Sequence, residues 1–373
     1  MIRKVEVKNF RILKDIKQDL KPFNILIGPN ATGKSTFLDV FVFVRDILTS
    51  GLWSAVEKRA PSFYDLLWDK WYPEIKIAFE FDLPEIGKIS KSKLPRFDYL
   101  RYESAIRMDS KLELYHEHLI KLINSNSTKS KQAIVIKRPF LDEPFQGGIY
   151  LRGENREFEP IIFAIYDQLA KGIQVLTLNS LKMRKPCAPG KKHTFELDGS
   201  NLPIMVKDLE KKSPKLYKDW IGHLQTALPF LKNIKVKIRE EDRSLYLIVK
   251  DTNNRDIPSW VLSDGTLRIL ALTLLAYIPD NEGIYLIEEP ENGIHPLAVE
   301  TVYQSLSSVY GGQVLVATHS PVVLSIAKPE EILCFSRKED GEAQIIRGDK
   351  HPALKNWKGS PNLSVLYASG VLD

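Results

Sequence analysis

Cysteine is nearly missing from this sequence, and long apolar runs are missing altogether. The 373 residues include two cysteines, Cys187 and Cys334, far apart and outside any CxxC or CxxH pattern. This excludes a disulfide framework and a thiolate zinc site within one chain, and it fits a reducing cytosol. No stretch approaches the ~18 consecutive apolar residues of a membrane span, and the N-terminus lacks a signal-peptide core. We therefore expect a cytoplasmic protein without membrane contacts.

Internal repeats, low-complexity segments and sustained heptads are also missing, and the charge is only mildly unbalanced. The sequence holds 53 Lys+Arg against 47 Asp+Glu, with 43% hydrophobic and 27% charged residues. Such a composition is ordinary for globular proteins and excludes a disordered chain, a collagen and a coiled-coil rod. The length suggests about two domains with a substantial buried core.

Hydrophobic periodicity predicts a mixed α/β chain. The apolar run FNILI at 23–27 predicts a buried strand, which a Gly/Pro/Asn loop and a helix over 34–49 follow. Alternating apolar residues predict an antiparallel strand over 74–81. After residue 264, helices alternate with the runs IYLIE, QVLVATH and EILCF, a βαβ pattern typical of a parallel sheet. Further predicted elements are strands at 133–136, 173–178, 234–238 and 245–249 and helices near 160–170 and 203–228.

Positive charge is concentrated between residues 171 and 237. This segment carries fourteen Lys+Arg against five Asp+Glu. One interpretation is a surface that contacts the phosphate backbone of nucleic acid, and the other is an ordinary solvated face. The sequence leaves both interpretations open.

The strongest local signal is GPNATGKST at 28–36, which satisfies the P-loop pattern G-x-x-x-x-G-K-[ST] between a predicted strand and a predicted helix. Gly28 and Gly33 allow backbone N–H groups and the helix N-terminus to face nucleotide phosphates. Lys34 places a cation at the β and γ phosphates, and the Ser35 hydroxyl is a Mg²⁺ ligand. The predicted ATP-binding residues of this loop are Gly28, Asn30, Ala31, Thr32, Gly33, Lys34, Ser35 and Thr36.

Two adjacent carboxylates follow the apolar strand of IYLIEEPENGIHP at 284–296. Glu288 is placed to hold the hydration shell of Mg²⁺, and Glu289 is placed to orient or deprotonate the attacking water. Charged residues directly after a buried strand are costly unless the site uses their charge. The pair therefore predicts a Walker B site, with Glu289 as a catalytic residue.

Two further segments complete an ordered set. LSDGTL at 262–267 is a Ser-x-Gly turn that opens a helix, and its backbone N–H groups at Ser263, Asp264 and Gly265 form a second anion cradle. QVLVATHS ends an apolar strand at His319, whose imidazole is suited to hydrogen-bond a γ-phosphate oxygen. Each segment alone is common, whereas the ordered set is specific.

This set resembles the motifs of ABC-type ATPase heads: Walker A, an LSxG-type signature, Walker B with a D-loop-like PENGIHP, and a switch histidine in THS. Within that superfamily, LSDGTLRILAL, IEEPENGIHP and VATHSP look most like RecF-like proteins and the overcoming-lysogenization-defect (OLD) family, including its single-chain relatives. The resemblance extends to VKNFRILKD near the N-terminus, to LDGSNLP at 197–203 and to the closing LYASGVLD. Residues 83–170 carry no recognisable motif.

The resemblance implies an α/β fold with a mainly parallel core sheet, an antiparallel β element and an inserted mixed α/β subdomain. Expected boundaries are an N-terminal ATPase lobe at 1–82, the insertion at 83–232 and a C-terminal ATPase lobe at 233–373. It also implies Mg²⁺-dependent ATP hydrolysis in a homodimer or higher oligomer, in which the signature of one head meets the phosphate bound by the other. His319 would then act with Glu289 in catalysis, and Arg11 would either reach the nucleotide or pair only locally.

Three features depart from the family pattern. Glu288 replaces the usual Asp of Walker B, and Thr266 replaces the Gln or Glu common in the transporter signature. No glutamine occurs between Lys34 and Lys131, so the Q-loop residue that senses Mg²⁺ and water cannot be assigned. The coupling of hydrolysis to motion is therefore left without a predicted residue.

Three alternative functions share some of these motifs. A nucleotide-binding subunit of a membrane transporter is disfavoured, because the 229 positions from Lys34 to Ser263 exceed the usual spacing of that class. An SMC-like structural ATPase would need long heptad arms, which the sequence lacks. OLD proteins attach a metal-dependent Toprim nuclease domain after the head, whereas 54 residues follow His319 here. We therefore expect a partner effector such as a nuclease, DNA as a candidate ligand, and a role in phage defence or DNA repair.

Two side-chain clusters have both a functional and a structural interpretation. His116 and His118 in LYHEHL are a metal-ligand pair or, with no third ligand suggested nearby, surface residues. Trp68 and Trp71 in DLLWDKWYP are a stacking platform for bases or part of a core or interface.

Overall fold

The computed structural model describes residues 1–82, 99–108, 114–123, 138–140, 164–190, 194–279, 281–355 and 363–368. The chain divides into two compact units. Unit 1 comprises Met1–Ile173, Leu333–His351 and the terminal Asp373, and unit 2 comprises Gln174–Ile332 and Pro352–Leu372. The three domain boundaries expected from the sequence remain a prediction.

Helices and strands are given in chain order. The strands are β1 (Ile2–Phe10), β2 (Leu13–Asp19), β3 (Phe23–Ile27), β4 (Glu74–Asp82), β5 (Tyr99–Met108), β6 (Leu114–Ile123), β7 (Arg138–Phe140), β8 (Ile173–Leu176), β9 (Leu231–Ile238), β10 (Leu245–Asp251), β11 (Asp256–Pro258), β12 (Ile284–Glu288), β13 (Gln313–Ala317), β14 (Ile332–Arg337) and β15 (Ala343–Arg347). The α-helices are α1 (Lys34–Ser50), α2 (Leu52–Glu57), α3 (Ser180–Arg184), α4 (Leu202–Lys212), α5 (Pro214–Ala227), α6 (Asp264–Leu274), α7 (Pro296–Ser307), α8 (Pro321–Ile326), α9 (Pro352–Lys355) and α10 (Leu363–Ala368). Short 3₁₀ turns occupy Phe63–Leu66, Ser259–Val261, Leu275–Tyr277, Pro329–Glu331 and Gly348–Lys350, and a π-helical turn occupies Gln168–Gly172.

Unit 1 contains an antiparallel sheet with strand order β2-β1-β4-β5-β6-β7. Because side chains alternate along a strand, one face of β1 buries Val5 and Val7 while Lys8 lies on the other, exposed face. Aromatic rings join the buried face to α1, with Phe41 and Phe79 stacked at 5.2 Å between ring centroids. The predicted antiparallel β element is therefore confirmed.

The buried strand and helix that flank the P-loop also belong to unit 1. All five residues of β3 are buried, and α1 follows the loop at Lys34, as the sequence predicts. Strand β14 lies beside β3 and pairs antiparallel with β15. Phe335 of β14 contacts Phe37 of α1 edge to face, with 5.7 Å between ring centroids. The P-loop is thus anchored at both ends in an apolar core.

Unit 2 contains a parallel βαβ unit in which α7 connects β12 to β13. The two strands pair in parallel register from Ile284 opposite Gln313 to Glu288 opposite Ala317, with β8 on the other side of β12. Four of the five β12 residues and all of β13 are buried, which explains their continuous apolar sequences. The mixed α/β fold with a mainly parallel core sheet is confirmed.

The remainder of unit 2 combines helices with the antiparallel sheet β11-β10-β9. The helical stretch predicted near 203–228 consists of two helices, because α4 ends at Lys212 and α5 starts at Pro214. Proline restricts the residue before it to extended conformations and has no N–H for the helix ladder, so the chain must break there. Trp220 of α5 is fully buried, and its indole N–H donates to the Thr273 hydroxyl at 2.9 Å.

Some predicted elements fall partly or wholly outside the described residues. The strand expected at 133–136 lies outside them, and of the helix expected near 160–170 only residues 164–170 are described, helical at first and then part of the π-helical turn. Within the described ranges, no helix combines the length and the apolar composition that crossing a bilayer demands.

Candidate nucleotide-binding site

The P-loop in unit 1 has the shape that its glycines allow. Gly28 has φ 141°, and a Cβ atom there would lie 2.1 Å from the carbonyl oxygen of Phe335, so every other residue is excluded sterically. Gly33 has φ 103° and immediately precedes α1. Thr32 is buried and closes the loop by donating its hydroxyl to the Pro29 carbonyl at 2.8 Å. The N-terminus of α1 is therefore open to an anion along a glycine-lined approach.

Lys34 holds its charge at the centre of this loop. Its side chain is buried, and its ammonium donates to the carbonyl oxygens of Gly28 at 2.6 Å and Pro29 at 2.8 Å. Ser35 is exposed and Thr36 half-buried in the first turn of α1, while Asn30 and Ala31 are exposed at the loop tip. The loop thus presents a cation, backbone N–H groups and hydroxyls together, a set that suits the phosphates of a nucleotide with a hydrated Mg²⁺ ion.

Arg11 lies in a turn that packs against the P-loop. The neighbouring Ile12 places its Cδ1 atom 3.0 Å from where a Cβ of Gly33 would stand. Arg11 has φ 49°, and its guanidinium lies 3.3 Å from the carboxylate of Asp39 on α1. Of the two alternatives for Arg11, the structure records the local pair, and contact with a nucleotide stays a prediction.

Arg59 is the residue that organises this ion pair, and sequence reasoning missed it. Its side chain is only 6% exposed; its Nε lies 2.9 and 3.0 Å from the two carboxylate oxygens of Asp39, and its Nη1 donates to Asp46 at 3.0 Å. The guanidinium also lies 4.9 Å from the ring centroid of Phe43. Asp39 is therefore shared by Arg59 and Arg11. The available signal was two aspartates, Asp39 and Asp46, seven residues apart and therefore on the same side of an otherwise apolar helix.

The Walker B segment in unit 2 ends β12 at two exposed carboxylates. Glu288 and Glu289 are both exposed, so the expectation of a costly buried charge does not hold for this unit. Glu289 has φ 47°, an uncommon conformation for a residue with a side chain, and its N–H donates to the Ala317 carbonyl at 2.8 Å. The Asn292 amide donates to the Glu289 carboxylate. Backbone strain of this kind concentrates at functional sites.

The signature segment opens α6 with a side-chain cap. Ser263 accepts a hydrogen bond from the Thr266 N–H at 3.1 Å, and both Ser263 and Asp264 are exposed. Gly265 contacts the segment after Walker B so closely that a Cβ would lie 2.4 Å from the carbonyl oxygen of Gly293. The structure therefore brings the signature and the D-loop-like turn together within unit 2.

Arg184 of α3 supports the signature from a distant part of the chain. Its guanidinium donates to the Leu262 carbonyl at 3.0 and 3.2 Å and forms an ion pair with Asp264. The Ser259 hydroxyl donates to the Arg184 carbonyl at 3.1 Å. Sequence reasoning counted Arg184 among the basic residues of 171–237, whereas the structure places its guanidinium against the signature segment.

His319 follows β13 and is joined to the end of the chain. Its Nδ1 lies 3.0 Å from the hydroxyl of Tyr367 on α10. The preceding Thr318 donates its hydroxyl to Glu291 at 2.5 Å, which ties this segment to the one after Walker B. Signature, Walker B and His319 thus form one connected set in unit 2, while the roles assigned to their side chains stay predictions.

The basic stretch loses much of its apparent charge to neighbouring acids. Lysines of the segment pair with Asp167, Asp198, Asp208 and Asp256 at distances of 2.5 to 3.1 Å. With Arg184 also engaged, the count of fourteen cations overstates the charge available to a polyanion. Lys191 and Lys192 lie outside the described residues.

The two remaining clusters have different outcomes. His116 and His118 lie on β6, whose side chains fall outside the described ones, so their metal interpretation stays a prediction. In the described part of the chain, no group of three His, Cys, Asp or Glu side chains is arranged to hold a metal ion. Trp71 is 96% exposed, which excludes a place in the core of unit 1.

Comparison with protein families gives one match over most of the chain. The model described as "AAA domain, putative AbiEii toxin, Type IV TA system" matches residues 23–325. An "OLD nuclease" of Thermus scotoductus (strain ATCC 700910 / SA-01) is 21% identical over 386 aligned residues, which include 95% of this chain. The chain spans 66% of the length of that relative, just under two thirds.

Solved structures with the same fold include heads of SMC ATPases. An Smc head bound to the C-winged helix domain of ScpA matches with a TM-score of 0.58 at 16% identity, over 92% of this chain and 97% of that one. An Smc head with an extended coiled coil, bound to the C-terminal domain of ScpA derived from Pyrococcus furiosus, matches with a TM-score of 0.55 at 14% identity, over 92% and 95%. At these identities the similarity establishes the fold alone, which is that of an ABC-like P-loop ATPase head.

Proposed function

The chain belongs to this AAA domain family, and on that premise we propose that it binds and hydrolyses MgATP as a head that dimerises on ATP and regulates or loads a partner effector. Family and fold make it a P-loop ATPase of the ABC and SMC-head kind with an OLD-like relative. The proposal adds three points. The heads form a dimer, the effector is a nuclease, and the chain acts in phage defence or DNA repair.

The observation that carries the proposal is the P-loop of unit 1. Gly28 has no space for a side chain, and Lys34 is buried with its ammonium on the loop carbonyls. The buried ammonium and the N–H groups at the start of α1 together favour a negatively charged ligand. The triphosphate of ATP supplies the anionic partner that this arrangement favours.

In the proposed reaction, water attacks the γ-phosphorus of ATP and the bond to the β-phosphate oxygen breaks, giving ADP and phosphate. Glu289 accepts the proton of the attacking water, while its strained backbone and Asn292 fix the carboxylate. Lys34 and the N–H groups at the start of α1 stabilise negative charge on the phosphates. His319, oriented by Tyr367, donates to a γ-phosphate oxygen.

Ser35 and Glu288 present oxygen atoms of the kind that Mg²⁺ prefers, Ser35 directly and Glu288 through water. When bound, Mg²⁺ neutralises charge that develops on the phosphate oxygens. Glu288→Gln should therefore shift the Mg²⁺ dependence of hydrolysis to higher concentrations while leaving ATP affinity at saturating Mg²⁺ unchanged.

Single-turnover ATP hydrolysis by Glu289→Gln tests the catalytic assignment. The amide keeps the shape of the side chain and loses the proton acceptor, so we expect hydrolysis to slow by about 100-fold or more with ATP binding retained. Glu282→Gln is the matched control, because Glu282 is an exposed glutamate of the same unit just before β12. An unchanged rate in Glu289→Gln, or an equal loss in the control, would contradict the assignment.

The mass of Glu289→Gln in solution, measured by light scattering with and without ATP, tests the dimer. We expect a doubling with ATP, because the exposed N–H groups at Ser263 and Asp264 need a phosphate that a second head carries. Adding Ser263→Arg to that variant should prevent the increase. An increase that survives Ser263→Arg would eliminate a signature-mediated dimer while leaving the ATPase assignment intact.

A further inference from the structure

A cleft of about 550 Å³ opens in unit 1 beside the loop at 68–73. We call it the aromatic cleft, and its walls include two aromatic residues, three lysines and two carboxylates: Trp68, Tyr72, Lys8, Lys14, Lys76, Asp69 and Glu74. Its volume lies in the range of sites that bind nucleotide-sized ligands. The family-like segment VKNFRILKD supplies Lys8 and Lys14 of its walls, whereas Walker A, the signature, Walker B and His319 do not contribute, so the proposed function leaves the cleft unexplained.

The loop beside the cleft displays two bare aromatic rings. Trp71 and Tyr72 are adjacent in the sequence, and their side chains are 96% and 71% exposed. Exposed aromatic area of this size is costly in water and marks interaction sites. The rings are thus available for stacking without any rearrangement of the core.

Asn9 fixes the loop in this conformation. Its side-chain amide nitrogen lies 3.1, 2.7 and 3.0 Å from the carbonyl oxygens of Asp69, Tyr72 and Glu74, and its oxygen accepts from the Asp69 N–H at 2.5 Å. Asn9 itself has φ 61°, which asparagine tolerates better than most residues. The Trp71 N–H donates to the Asp69 carboxylate at 2.9 Å. The backbone that carries the exposed rings is therefore fixed before a ligand arrives, which reduces the entropic cost of binding.

Positive charge lies next to these rings in an unfavourable arrangement. Lys8 of β1 stands directly opposite Lys76 of β4 in the antiparallel register. Like charges in that position destabilise a sheet. Glu74 lies 2.7 Å from Lys76, and Asp15 lies 3.7 Å from Lys8, but the side chains of Lys8 and Lys76 remain 52% and 57% exposed. Lys14 is already neutralised by Asp340 and Glu342 at 3.3 and 3.2 Å.

At the other end of the same exposed face, the charged side chains pair with one another. There Lys4 faces Glu80 and Glu80 faces Arg101 across successive strands, so opposite charges alternate. Arg101 lies 2.6 Å from Glu6 and 2.9 Å from Glu80. By contrast, Lys8 and Lys76 face each other directly, with Asp15 and Glu74 beside them, and both side chains stay more than half exposed, so they can also contact an external anion.

We infer that the aromatic cleft binds an unpaired nucleotide of a single-stranded nucleic acid, whose base stacks on Tyr72 in the cleft wall or on Trp71 beside it and whose phosphates contact Lys8 and Lys76. Only an unpaired base exposes its ring faces for stacking, because bases in a duplex are covered by their neighbours. A protein partner is disfavoured, since lysine is depleted in protein interfaces whereas aromatic and basic residues together are typical of single-strand binding. The inference goes beyond the proposed ATPase function.

The inferred base stacking is tested by fluorescence anisotropy. A fluorescein-labelled oligo-dT strand is titrated with the full chain in the absence of ATP. We expect Trp71→Ala combined with Tyr72→Ala to weaken binding by about 10-fold or more, since stacking on an aromatic ring is sequence-tolerant and strong. The matched control is Trp260→Ala, a tryptophan that is 49% exposed in unit 2, which should leave binding unchanged. Both replaced rings of the test variant are exposed, so its thermal unfolding should match that of the wild type.

Charge reversal at Lys8 and Lys76 tests the inferred phosphate contacts. Lys8→Glu with Lys76→Glu should weaken oligo-dT binding and reduce the slope of log affinity against log salt concentration by about 1. The control is Lys215→Glu with Lys218→Glu, the same charge change at exposed positions of the basic segment 171–237. Equal losses in both double variants would overturn the assignment to the cleft.

Two competing ligands complete the test. A duplex of the same length should bind more weakly than oligo-dT, and free thymidine monophosphate should not displace the strand at comparable concentrations. Tighter binding of the duplex, insensitive to Trp71→Ala, would overturn the inference in favour of backbone contacts alone. Displacement by the free nucleotide would overturn it in favour of a small-molecule site. Because ATP is omitted, failure of the ATPase assignment would not affect either result.

Discussion

Unit 1 and unit 2 support in different ways the loops that we propose to contact phosphate. In unit 1 the P-loop is shaped by its own residues, since Lys34 donates to carbonyls five and six positions earlier. In unit 2 the loops are hydrogen-bonded to side chains far away in the sequence. Arg184 donates to the carbonyl of Leu262, 78 positions later, and the Tyr367 hydroxyl contacts His319, 48 positions earlier. The P-loop motif therefore supplies hydrogen bonds of its own, whereas the unit 2 loops also depend on side chains far away in the sequence.

Two basic regions of the molecule likewise differ in how well the sequence predicts the charge on their surface. The segment 171–237 is the most basic by count, yet several of its cations are paired with acids. The face of unit 1 near Lys8 looks unremarkable by count, yet strand register places two lysines directly opposite each other. Charge along the chain is thus a poor guide to charge on a surface.

The largest expected effect is on the stability of unit 1. Arg59→Ala removes the buried guanidinium shared by Asp39 and Asp46 and leaves both carboxylates without their main partner. We expect a loss of about 3–5 kcal/mol in the free energy of unfolding, measured with urea. The control Lys58→Ala should cost under about 1 kcal/mol, because Lys58 is half-exposed and 3.8 Å from Asp46. Similar losses in the two variants would mean that the buried network is not a special support of unit 1.

The second-largest expected effect is on ATP binding by the P-loop. Lys34→Ala should weaken ATP binding by about 100-fold, near 3 kcal/mol, because the only ammonium buried in the P-loop is lost. Lys17→Ala, an exposed lysine of the same unit, should leave the affinity unchanged. Isothermal titration calorimetry with a non-hydrolysed ATP analogue measures both, and undiminished affinity in Lys34→Ala would refute the P-loop assignment.

Acid should weaken the exposed face of unit 1 through Glu6. Burial raises the pKa of Glu6, but hydrogen bonds from Arg101 and Lys4 outweigh it and hold the pKa at about 2, below the ordinary 4.5. A depressed folded-state pKa gives stability that is present above 4.5 and lost as pH falls towards 2. We expect this loss to be on the order of 1–3 kcal/mol after allowance for solvent screening. Thermal unfolding of Glu6→Gln against pH should show a flatter decline than the wild type, and parallel curves would exclude Glu6 as the source.

The smallest effect concerns the long-range support of unit 2. Arg184→Ala removes the contacts to Leu262 and Asp264, so the signature should lose its orientation while the P-loop stays intact. We expect steady-state ATP hydrolysis to fall by about 5- to 20-fold, on the order of 1–2 kcal/mol, with unchanged ATP affinity. The adjacent and exposed Lys185→Ala is the control. A fall in ATP affinity instead of rate would place the role of Arg184 outside the signature.

The sequence by itself determined the elements whose contacts are local. β3, the P-loop and α1 follow from an apolar run, two glycines and a helical pattern, and the parallel pair of β12 and β13 follows from continuous apolar runs joined by a helix. These could be predicted because each depends on period and on neighbours within a few residues. In the helical stretch near 203–228 the structure adds a break at Pro214, across which the apolar pattern continues.

Tertiary structure alone decided which distant residues support each loop and which charges remain free. Arg59 with Asp39, Arg184 with Asp264 and Tyr367 with His319 are pairs whose members carry no mutual signal in the sequence. Strand register likewise set Lys8 against Lys76, and Asn9 fixed the loop that exposes Trp71. The physical reason is that side-chain contacts depend on the distance in space between elements, and the hydrophobic pattern fixes which face of each element is buried without fixing which partner the polar face meets.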